Sequence, residues 1–445
     1  MPEQRPNLLL LFPDQWRWDW LGCHESGVPV RTPTIDALAA RGVRFDRCRS
    51  NSPVCSPARA CLSTGMRYES CGVPDNKAVC DPNRTTIWQR LRHAGYRVAT
   101  CGKNDLDKPG HRFHRSGWSP ALGSLGFTDV REHAGKWDWL ANHRKGHPES
   151  FRAYLAEHGM LDTYIADMQR RREIRNNEQR IDHTPFDLPR RFYTDDFCGQ
   201  NALRLIDDLP DDAPWALWVN FPGPHEPFDP PQELADRYHN VDFPPPIEAG
   251  ESPNNHQQLR RNYAAMCEGI DEWCGWILNA IHRRGELDNT LVVFASDHGE
   301  LLGDHGRWSK ARPEEGSVRV PCVVAGPGVE AKGRNDALVE LIDIGATLLD
   351  AAQIPIPETM EARSLLPACR GEPHRDVQLM ALGDWRAICD DRYKYISWQD
   401  GRECLFDLSE DPDERTNLMT SLTAEAQGLR ERLDQETRPM VTGRP

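Results

Sequence analysis

Four apolar runs, each followed at once by polar residues, constrain the fold of this chain most strongly. The runs occupy residues 7–12, 96–101, 215–221 and 291–296. Short continuous apolar runs are typical of strands that are buried on both faces of a parallel sheet. Helical stretches lie between them, at residues 34–41, 86–93 and 193–208. This alternation predicts an α/β fold built on a large, mostly parallel central sheet.

The polar residues that follow these runs indicate a functional site. They are Asp14, Lys103, His225, and Asp297 together with His298. In open parallel sheets, ligands bind outside the carboxyl ends of the strands, where such residues would meet. The sequence therefore predicts that one site gathers side chains from all four strands.

Charge and composition exclude two broad classes of function. The 445 residues include 54 Lys or Arg and 68 Asp or Glu, which gives a net charge of −14. Nucleic-acid binding depends on Lys and Arg that neutralise phosphates, so this balance argues against a nucleic-acid partner. No stretch approaches the roughly 18 apolar residues of a membrane span, which argues against a membrane protein. An anionic substrate would need a local positive pocket.

The N-terminus and the cysteines indicate a cellular compartment. The only early apolar run, residues 8–12, is shorter than the roughly 7–15 residues of a secretory signal. The 14 cysteines include no C-x-x-C pair, which argues against a thiolate zinc site. Without a signal, they are expected to be reduced thiols. These features predict a cytoplasmic protein.

The order of the segments predicts two domains. Residues 1–357 are expected to form the catalytic domain, which ends at the Pro-Ile-Pro sequence of residues 355–357. Residues 358–445 are expected to form a smaller C-terminal α+β subdomain. Its antiparallel sheet is predicted from the runs at 377–382, 386–398 and 404–408, and its closing helix at 424–437. One more helix is expected at 339–352.

A polar, arginine-rich stretch interrupts the alternation at about residues 135–191. Its closely spaced arginines are Arg170, Arg171, Arg172 and Arg175. We interpret this stretch as a helical insertion near the mouth of the site. A solvated helix face explains the same composition equally well, because charged residues usually face water.

The most specific segment is CSPARACLSTG, at residues 55–65. Pro57 is suited to the first position of a helix, which would place Cys55 just before the helix N-terminus. The free amides and the dipole at that end attract anions. Arg59 would lie in the first turn and offer paired donors to a tetrahedral oxyanion. Taken alone, a cysteine at a helix start is more often a small buried residue.

The full string resembles the signature of the sulfatase family, C-x-P-[SA]-R followed by L-x-T-G. The resemblance implies that Cys55 is oxidised to formylglycine, which acts as the nucleophile. A hydrated aldehyde carries two hydroxyl groups, of which one attacks sulfur. Deprotonation of the other then expels sulfate as the carbonyl forms again.

A second group of residues offers oxygen and nitrogen ligands. Asp14-Gln15 and Asp297-His298 follow separate runs, and carboxylates brought together there repel unless a cation lies between them. Isolated, such pairs are more often loop residues or helix caps. Many sulfatases have Asp-Asp where this chain has Asp14-Gln15, and Asn where it has His298. The Asp-Gln and Asp-His-Gly sequences of this chain resemble those of choline sulfatases and phosphonate monoester hydrolases. The resemblance implies one divalent metal, calcium first and manganese or magnesium next, bound by Asp14, Gln15, Cys55, Asp297 and His298.

The family resemblance extends to residues that would bind the anion and protonate the leaving oxygen. Lys103 matches a G-K-W-H-L segment, in which Asp105 replaces the usual histidine. His225 matches P-H-x-P and is a candidate general acid. Together these motifs imply the catalytic set Cys55, Arg59, Lys103, His225 and Lys310. The substrate-binding candidates are Asn76, Asp105 and His305.

Taken together, these motifs resemble a sulfatase with an alkaline-phosphatase-like sandwich fold. The resemblance runs from residue 7 to residue 418 and includes a late L-F-D-L…D-P block. It implies a sulfate monoesterase that acts on a small or saccharide substrate, after maturation by a formylglycine-generating enzyme. The sequence leaves open whether the protein forms a homo-oligomer. One alternative is a phosphonate monoester or phosphodiester hydrolase with the same site, and another is a non-catalytic anion-binding protein with unmodified Cys55.

Overall fold

The strands of the protein form one large sheet and two smaller ones. The structure, a computed structural model, describes residues 5–108, 114, 116–178, 180–252, 254–330 and 333–437. The strands in these residues are β1 Asn7–Leu11, β2 Val43–Phe45, β3 Cys48–Arg49, β4 Arg97–Gly102, β5 Asp129–Glu132, β6 Trp215–Asn220, β7 Thr290–Ala295, β8 Cys322–Ala325, β9 Gly333–Asn335, β10 Val339–Glu340, β11 Gln378–Leu382, β12 Trp385–Cys389, β13 Tyr393–Trp398 and β14 Glu403–Asp407.

The α-helices alternate with these strands over much of the chain. They are α1 Pro33–Arg41, α2 Cys55–Thr64, α3 Tyr68–Cys71, α4 Ile87–His93, α5 Pro120–Ser124, α6 Lys136–Arg144, α7 Ser150–Glu157, α8 Leu161–Glu178, α9 Thr194–Asp207, α10 Gln232–Ala235, α11 His256–Arg283, α12 Glu315–Val318, α13 Ile342–Ala351 and α14 Thr423–Glu436. None of the helices in the described ranges is both long enough and apolar enough to cross a bilayer.

The large sheet has eight strands in the order β5-β4-β6-β1-β7-β8-β2-β9. Its first five strands run parallel, whereas β8 is antiparallel to both β7 and β2. The four strands predicted from apolar runs are β1, β4, β6 and β7, and they are neighbours in this sheet. The predicted α/β fold with a large, mostly parallel sheet is confirmed.

Alternate residues of β1 pack into hydrophobic cores on opposite faces of the sheet. Leu8 and Leu10 belong to the core that contains residues of α2, α4 and α13. Leu9 and Leu11 belong to the core that contains residues of α1, α9 and α11. Burial on both faces explains why the sequence of this strand is continuously apolar. The sheet is therefore sandwiched between two layers of helices.

The smaller antiparallel sheet has the strand order β11-β12-β13-β14, and α14 packs on it. The expected C-terminal antiparallel sheet is confirmed. A buried ion pair of 3.0 Å between Lys394 and Glu315 joins it to the first residue of α12. The predicted domain boundary after residue 357 stays a prediction, although this sheet and α14 lie beyond it.

Helices α6, α7 and α8 lie in the arginine-rich stretch and share a small core that includes Trp139, Phe151 and Tyr164. Arg171 is completely buried and forms an ion pair of 3.0 Å with Asp182. A solvated helix face therefore does not account for Arg171. The outer limits of the insertion, about 135–191, stay a prediction.

Three local predictions were wrong. Residues 339–340 form strand β10, so the expected helix at 339–352 begins only at Ile342. The run at 386–398 contains two strands, β12 and β13, because the chain turns between Cys389 and Tyr393. Helix α2 begins at Cys55 itself, with the extended residue Val54 as its N-cap.

Candidate active site

The site lies at the carboxyl edge of four neighbouring strands, β4, β6, β1 and β7. Beyond β1, the amide of Asp14 donates to the carbonyl oxygens of Phe221 (3.1 Å) and Gly223 (3.0 Å), which follow β6. β1 also pairs in parallel with β7. Asp14, His225 and Asp297 therefore leave the sheet at the same edge, as the sequence predicts.

Cys55, at the start of α2, is buried among residues from the strand ends. Its Sγ atom lies 3.0 Å from Lys310 Nζ and 3.2 Å from Lys103 Nζ. His298 Nε2 is 3.4 Å from the same sulfur, and Asp14 Oδ1 is 3.8 Å from it. The fold thus gathers around Cys55 four of the residues singled out in the sequence.

The two lysines change the acidity of the Cys55 thiol. Burial and the nearby Asp14 carboxylate would raise the pKa of this thiol, because both disfavour a thiolate. Lys103 and Lys310 outweigh them and lower the pKa to about 7. The surroundings of position 55 are therefore electropositive and favour a negative charge on its side chain.

Arg59 lies completely buried between the two carboxylates. Its guanidinium is 2.9 Å from Asp297 Oδ2 and 3.2 Å from Asp14 Oδ2. It also donates to Asn220 Oδ1 over 2.7 Å and to the carbonyl oxygen of Lys103 over 2.6 Å. The sequence suggested that Arg59 would offer its donors to an oxyanion; the structure directs them to protein acceptors, which fixes both carboxylates in place.

Four side chains meet at distances that suit a metal ion. One ligand atom from each of Asp14, Cys55, Asp297 and His298 lies within 4.8 Å of the other three. The Nδ1–H of His298 donates to the carbonyl oxygen of Gly299 over 3.0 Å. This bond leaves the lone pair on Nε2 facing Cys55, which is the arrangement of a metal-binding imidazole. The donor set therefore fits a divalent cation.

Asp14 is ionised in this cluster. Burial alone would raise the pKa of its carboxyl group, but Lys103 and then Lys310 hold that pKa well below its ordinary value. Lys103 forms an ion pair with Asp14. A charged carboxylate is the form that a cation requires as a ligand.

Gln15 is the fifth predicted metal ligand. Its backbone amide donates to Asp297 Oδ1 over 3.0 Å, and its side-chain Nε2 donates to Glu300 Oε2. The remaining side-chain atom, Oε1, is buried and has no hydrogen-bond partner among the described residues. A buried oxygen without a donor beside this cluster is available to a cation.

His225 lies close enough to Asp14 and Lys310 for their charges to act on it. Burial, followed by the charge of Lys310, holds the pKa of its imidazole well below the ordinary value, so the ring is neutral. Its Nδ1–H donates to the carbonyl oxygen of Glu226 over 2.8 Å. Nε2 is therefore the ring atom left for a substrate.

Asp105 is buried between two lysines, one of which, Lys103, also contacts Cys55. It forms ion pairs of 3.2 Å with Lys103 and 3.1 Å with Lys108. Burial would lower the pKa of Lys103, but Asp105 and then Asp14 raise it well above its ordinary value. The structure thus places Asp105 where it keeps Lys103 charged.

The other two substrate-binding candidates lie in different places. Asn76 Oδ1 accepts a hydrogen bond of 3.0 Å from the amide of Ser56, at the start of α2 next to Cys55. His305 bonds Glu248 over 3.1 Å and lines a cavity of about 440 Å³ together with Arg17 and other residues outside the cluster. The structure brings Asn76 to the site and does not bring His305 there.

Comparison with known families decides what kind of protein this is. A family model described as Sulfatase matches residues 6–354. The chain belongs to the sulfatase family. A second family model, described as the C-terminal part of N-sulphoglucosamine sulphohydrolase, matches residues 303–439 of this sulfatase. The family predicted from residues 55–65 is therefore confirmed.

Several curated sulfatases are similar over most of their length. An arylsulfatase of Clostridium perfringens is 29% identical, with 94% of this chain and 91% of the relative covered. A choline-sulfatase of Rhizobium meliloti is also 29% identical, with 94% of this chain and 83% of the relative covered. The resemblance thus extends over the whole fold.

Solved structures share the fold. A phosphonate monoester hydrolase of Agrobacterium radiobacter superposes with a TM-score of 0.79 at 24% identity, over 97% of this chain and 95% of its own. A structure in complex with its substrate D-glucosamine-2-N,6-O-disulfate superposes with a TM-score of 0.77 at 18% identity, over 99% and 100% of the two chains. These likenesses establish the architecture.

Two residues support the site of this sulfatase through contacts that were not predicted from the sequence. Asn220, the last residue of β6, accepts from Arg59. A polar residue at the end of a buried apolar strand is the signal that would have identified it. Glu300 follows the Asp-His-Gly sequence and bonds Gln15, a contact that no spacing in the sequence indicates.

Proposed function

We propose that this sulfatase hydrolyses sulfate monoesters, with a formylglycine made from Cys55 as nucleophile and a divalent cation beside it. One observation carries the proposal. The buried Cys55 sulfur lies within 3.2 Å of two lysine ammonium groups and in one cluster with Asp14, Asp297 and His298. Nucleophile, cation ligands and anion-binding charges therefore lie within reach of one sulfate group.

Each neighbour of Cys55 has a separate task in this proposal. Lys103 and Lys310 bind the sulfate oxygens and stabilise the negative charge that develops in the transition state. Arg59 holds the carboxylates of Asp14 and Asp297 in place. His225 presents Nε2 to the leaving oxygen, and the negative charge of a bound sulfate raises the pKa of this ring towards the protonated form that a general acid needs.

The cation would be held by Asp14, Asp297 and His298, with Oε1 of Gln15 and the oxidised side chain at position 55 as further ligands. Bound there, it would polarise the sulfate and favour ionisation of the nucleophile. We propose calcium, because oxygen atoms dominate this ligand set, with manganese and magnesium as the alternatives. Elemental analysis of the purified protein identifies the metal.

Maturation is the first part of the proposal to test. Replacement of the SH group and one hydrogen of Cys55 by a carbonyl oxygen lowers the residue mass by roughly 18 Da. Peptide mass spectrometry of protein from its native host should show this shift, introduced by a formylglycine-generating enzyme. An unchanged Cys55 would favour the non-catalytic anion-binding alternative.

Substrate class is tested with matched esters that share one leaving group. The relatives named arylsulfatase and choline-sulfatase make an aryl sulfate and choline sulfate the first compounds to assay. We expect kcat/KM to be higher for the aryl sulfate than for the corresponding aryl phosphonate monoester. A large preference for the phosphonate would replace this proposal by the phosphonate hydrolase alternative.

We also propose the cytosol as the compartment of this enzyme. The support is chemical: all 14 cysteines are free thiols, and most of them are buried. Free thiols in such numbers persist where the environment is reducing. Fractionation of the native host should recover the activity in the cytosolic fraction, whereas recovery from a secreted fraction would contradict this assignment.

A further inference from the structure

Gln15 has a strained backbone that several bonds hold in place. Its φ angle is 68°, in the left-handed region that residues with a side chain seldom adopt. Such a conformation is strained and persists only where the surroundings impose it. Here Asp297 accepts from the backbone amide, and the hydroxyl of Tyr263 donates to the carbonyl oxygen over 2.6 Å. The fold thus fixes the backbone conformation from which the Gln15 side chain extends.

The side chain of Gln15 is fixed by Glu300, which is itself completely buried. Glu300 Oε1 accepts from the backbone amides of Leu302 (3.1 Å) and Ser309. Glu300 Oε2 accepts from Nε2 of Gln15. Both carboxylate oxygens are therefore acceptors, and the neighbouring amide must turn its NH₂ group towards them.

The bond to Glu300 also determines the direction of the other polar atom of the Gln15 amide, Oε1. With Nε2 directed at Glu300, the oxygen Oε1 is directed away from it and has no hydrogen-bond partner among the described residues. The opposite orientation would direct Nε2, a donor that cannot bind a cation, to that place. The bond to Glu300 thus decides which atom of Gln15 is free.

We propose that Glu300 is a positioning residue that orients the Gln15 amide so that its oxygen faces the cation. The inference rests on the cation site of the proposed function. It explains why an amide occupies position 15: the NH₂ group of the amide donates to Glu300 Oε2, whereas a carboxylate there would place a second acceptor against it. Residues 15 and 300 thus act as one pair, with one amide and one acid.

The first variant to measure is Glu300→Gln. The amide introduced at position 300 keeps an acceptor for Leu302 and Ser309, so the variant is expected to fold. Its NH₂ group then faces Gln15, which must rotate and direct Nε2 at the cation. We expect calcium affinity, measured by isothermal titration calorimetry on the full chain, to fall roughly 10–100-fold. The calcium-induced rise in Tm should shrink with it.

The second variant is the exchange Gln15→Glu with Glu300→Gln. It keeps the donor that Glu300→Gln introduces at position 300 and places two acceptor oxygens at position 15, one for that donor and one for the cation, so it should recover most of the calcium affinity that Glu300→Gln loses. Glu268→Gln is the matched control, because Glu268 is also buried but pairs with Arg237 on another part of the fold. Its calcium affinity should equal that of wild type.

The outcomes separate this inference from the proposed function. If calcium, manganese and magnesium all fail to bind the wild-type protein, the cation site is wrong and the inference is wrong with it. If the wild type binds a cation and Glu300→Gln binds it equally well, Glu300 has a structural role alone. Failure of the double variant to bind more tightly than Glu300→Gln would also overturn the inference.

Discussion

The ammonium nitrogen of Lys310 lies 3.0 Å from the sulfur of Cys55, although 255 positions separate the two residues in the chain. Lys310 also lies 3.1 Å from Nε2 of His298. Because Cys55 is buried, water screens this charge only weakly. An oxygen that replaces the sulfur would therefore be stabilised as an anion, which is the state that a nucleophile needs.

Replacement of Lys310 by methionine should reduce catalysis strongly while the fold is kept. The variant retains most of the side-chain volume but removes the charge beside Cys55. By analogy with the loss of one transition-state donor, kcat/KM for an aryl sulfate should fall by about 10²–10³-fold. Lys145→Met is the control, since Lys145 is exposed at the end of α6. Equal kinetics in both variants would remove Lys310 from the mechanism.

Cys55→Ala and Asp297→Asn should each abolish turnover and leave the circular dichroism spectrum unchanged. The first substitution removes the precursor of the nucleophile. The second removes a negative charge from the cluster that contains Asp14 and His298. Loss of activity should therefore be accompanied by weaker cation binding in both variants, and the weakening should be larger in Asp297→Asn, which removes a charged ligand. Full activity of the metal-stripped Asp297→Asn protein would disprove the ligand assignment.

The fold was predictable because local sequence and global burial agree. Leu8 to Leu11 alternate between the two cores, so that the apolar run of β1 has a single explanation. The break between β12 and β13 was missed because both strands and their short connection fall within one β-like run. Secondary structure was thus recovered wherever periodicity and burial give the same answer.

The candidate site was predictable only where position in the sheet determines proximity. Asp14, Lys103 and Asp297 follow strands, so topology alone brings them together. Side-chain direction is set by packing instead, which is why the inward orientation of Arg59 could not be foreseen. His305 follows the same strand as Asp297, but the backbone turns at Gly303, which has a positive φ angle. His305 therefore bonds Glu248 instead of reaching the site.

Acid should weaken the connection between α13 and the segment beyond residue 357. Burial would raise the pKa of Asp343, but Arg375 holds it below the ordinary value. Such a carboxylate stabilises the fold above its unfolded pKa of about 4, and the contribution is lost as pH falls through the folded pKa. Asp343→Asn should lower the free energy of unfolding at pH 7 by about 3–5 kcal/mol.

The pH dependence of that difference is the decisive measurement. Urea unfolding of wild type and Asp343→Asn should give free energies that begin to converge below roughly pH 4 and go on converging as pH falls towards the lowered pKa of Asp343 in the folded state, because protonation of Asp343 removes the same charge as the substitution. Asp350→Asn provides a control on an exposed carboxylate of the same helix. A difference that stays constant over this range would show that the ion pair with Arg375 is not its source.

The loop that carries His225 is held by Lys136 from the arginine-rich stretch. The ammonium group of Lys136 forms an ion pair with Asp229 and donates to the carbonyl oxygen of Pro227 over 3.2 Å. The hydroxyl of Tyr193 accepts from the same group over 2.8 Å. All of these atoms are buried, so water compensates the charge of Asp229 only weakly. Among the residues that the structure describes, Lys136 and Arg171 form its ion pairs.

Lys136→Met should therefore destabilise the fold by about 3–5 kcal/mol, because it leaves the Asp229 charge buried with Arg171 as its remaining cation, 3.6 Å away. It should also lower kcat more than it raises KM, since His225 acts on the leaving oxygen rather than in substrate binding. The double variant Lys136→Met with Asp229→Asn removes both charges and should recover part of the lost stability, as urea unfolding can measure. If the two substitutions were simply additive, the pair would not act as a unit, and the link from the insertion to the His225 loop would have to lie elsewhere.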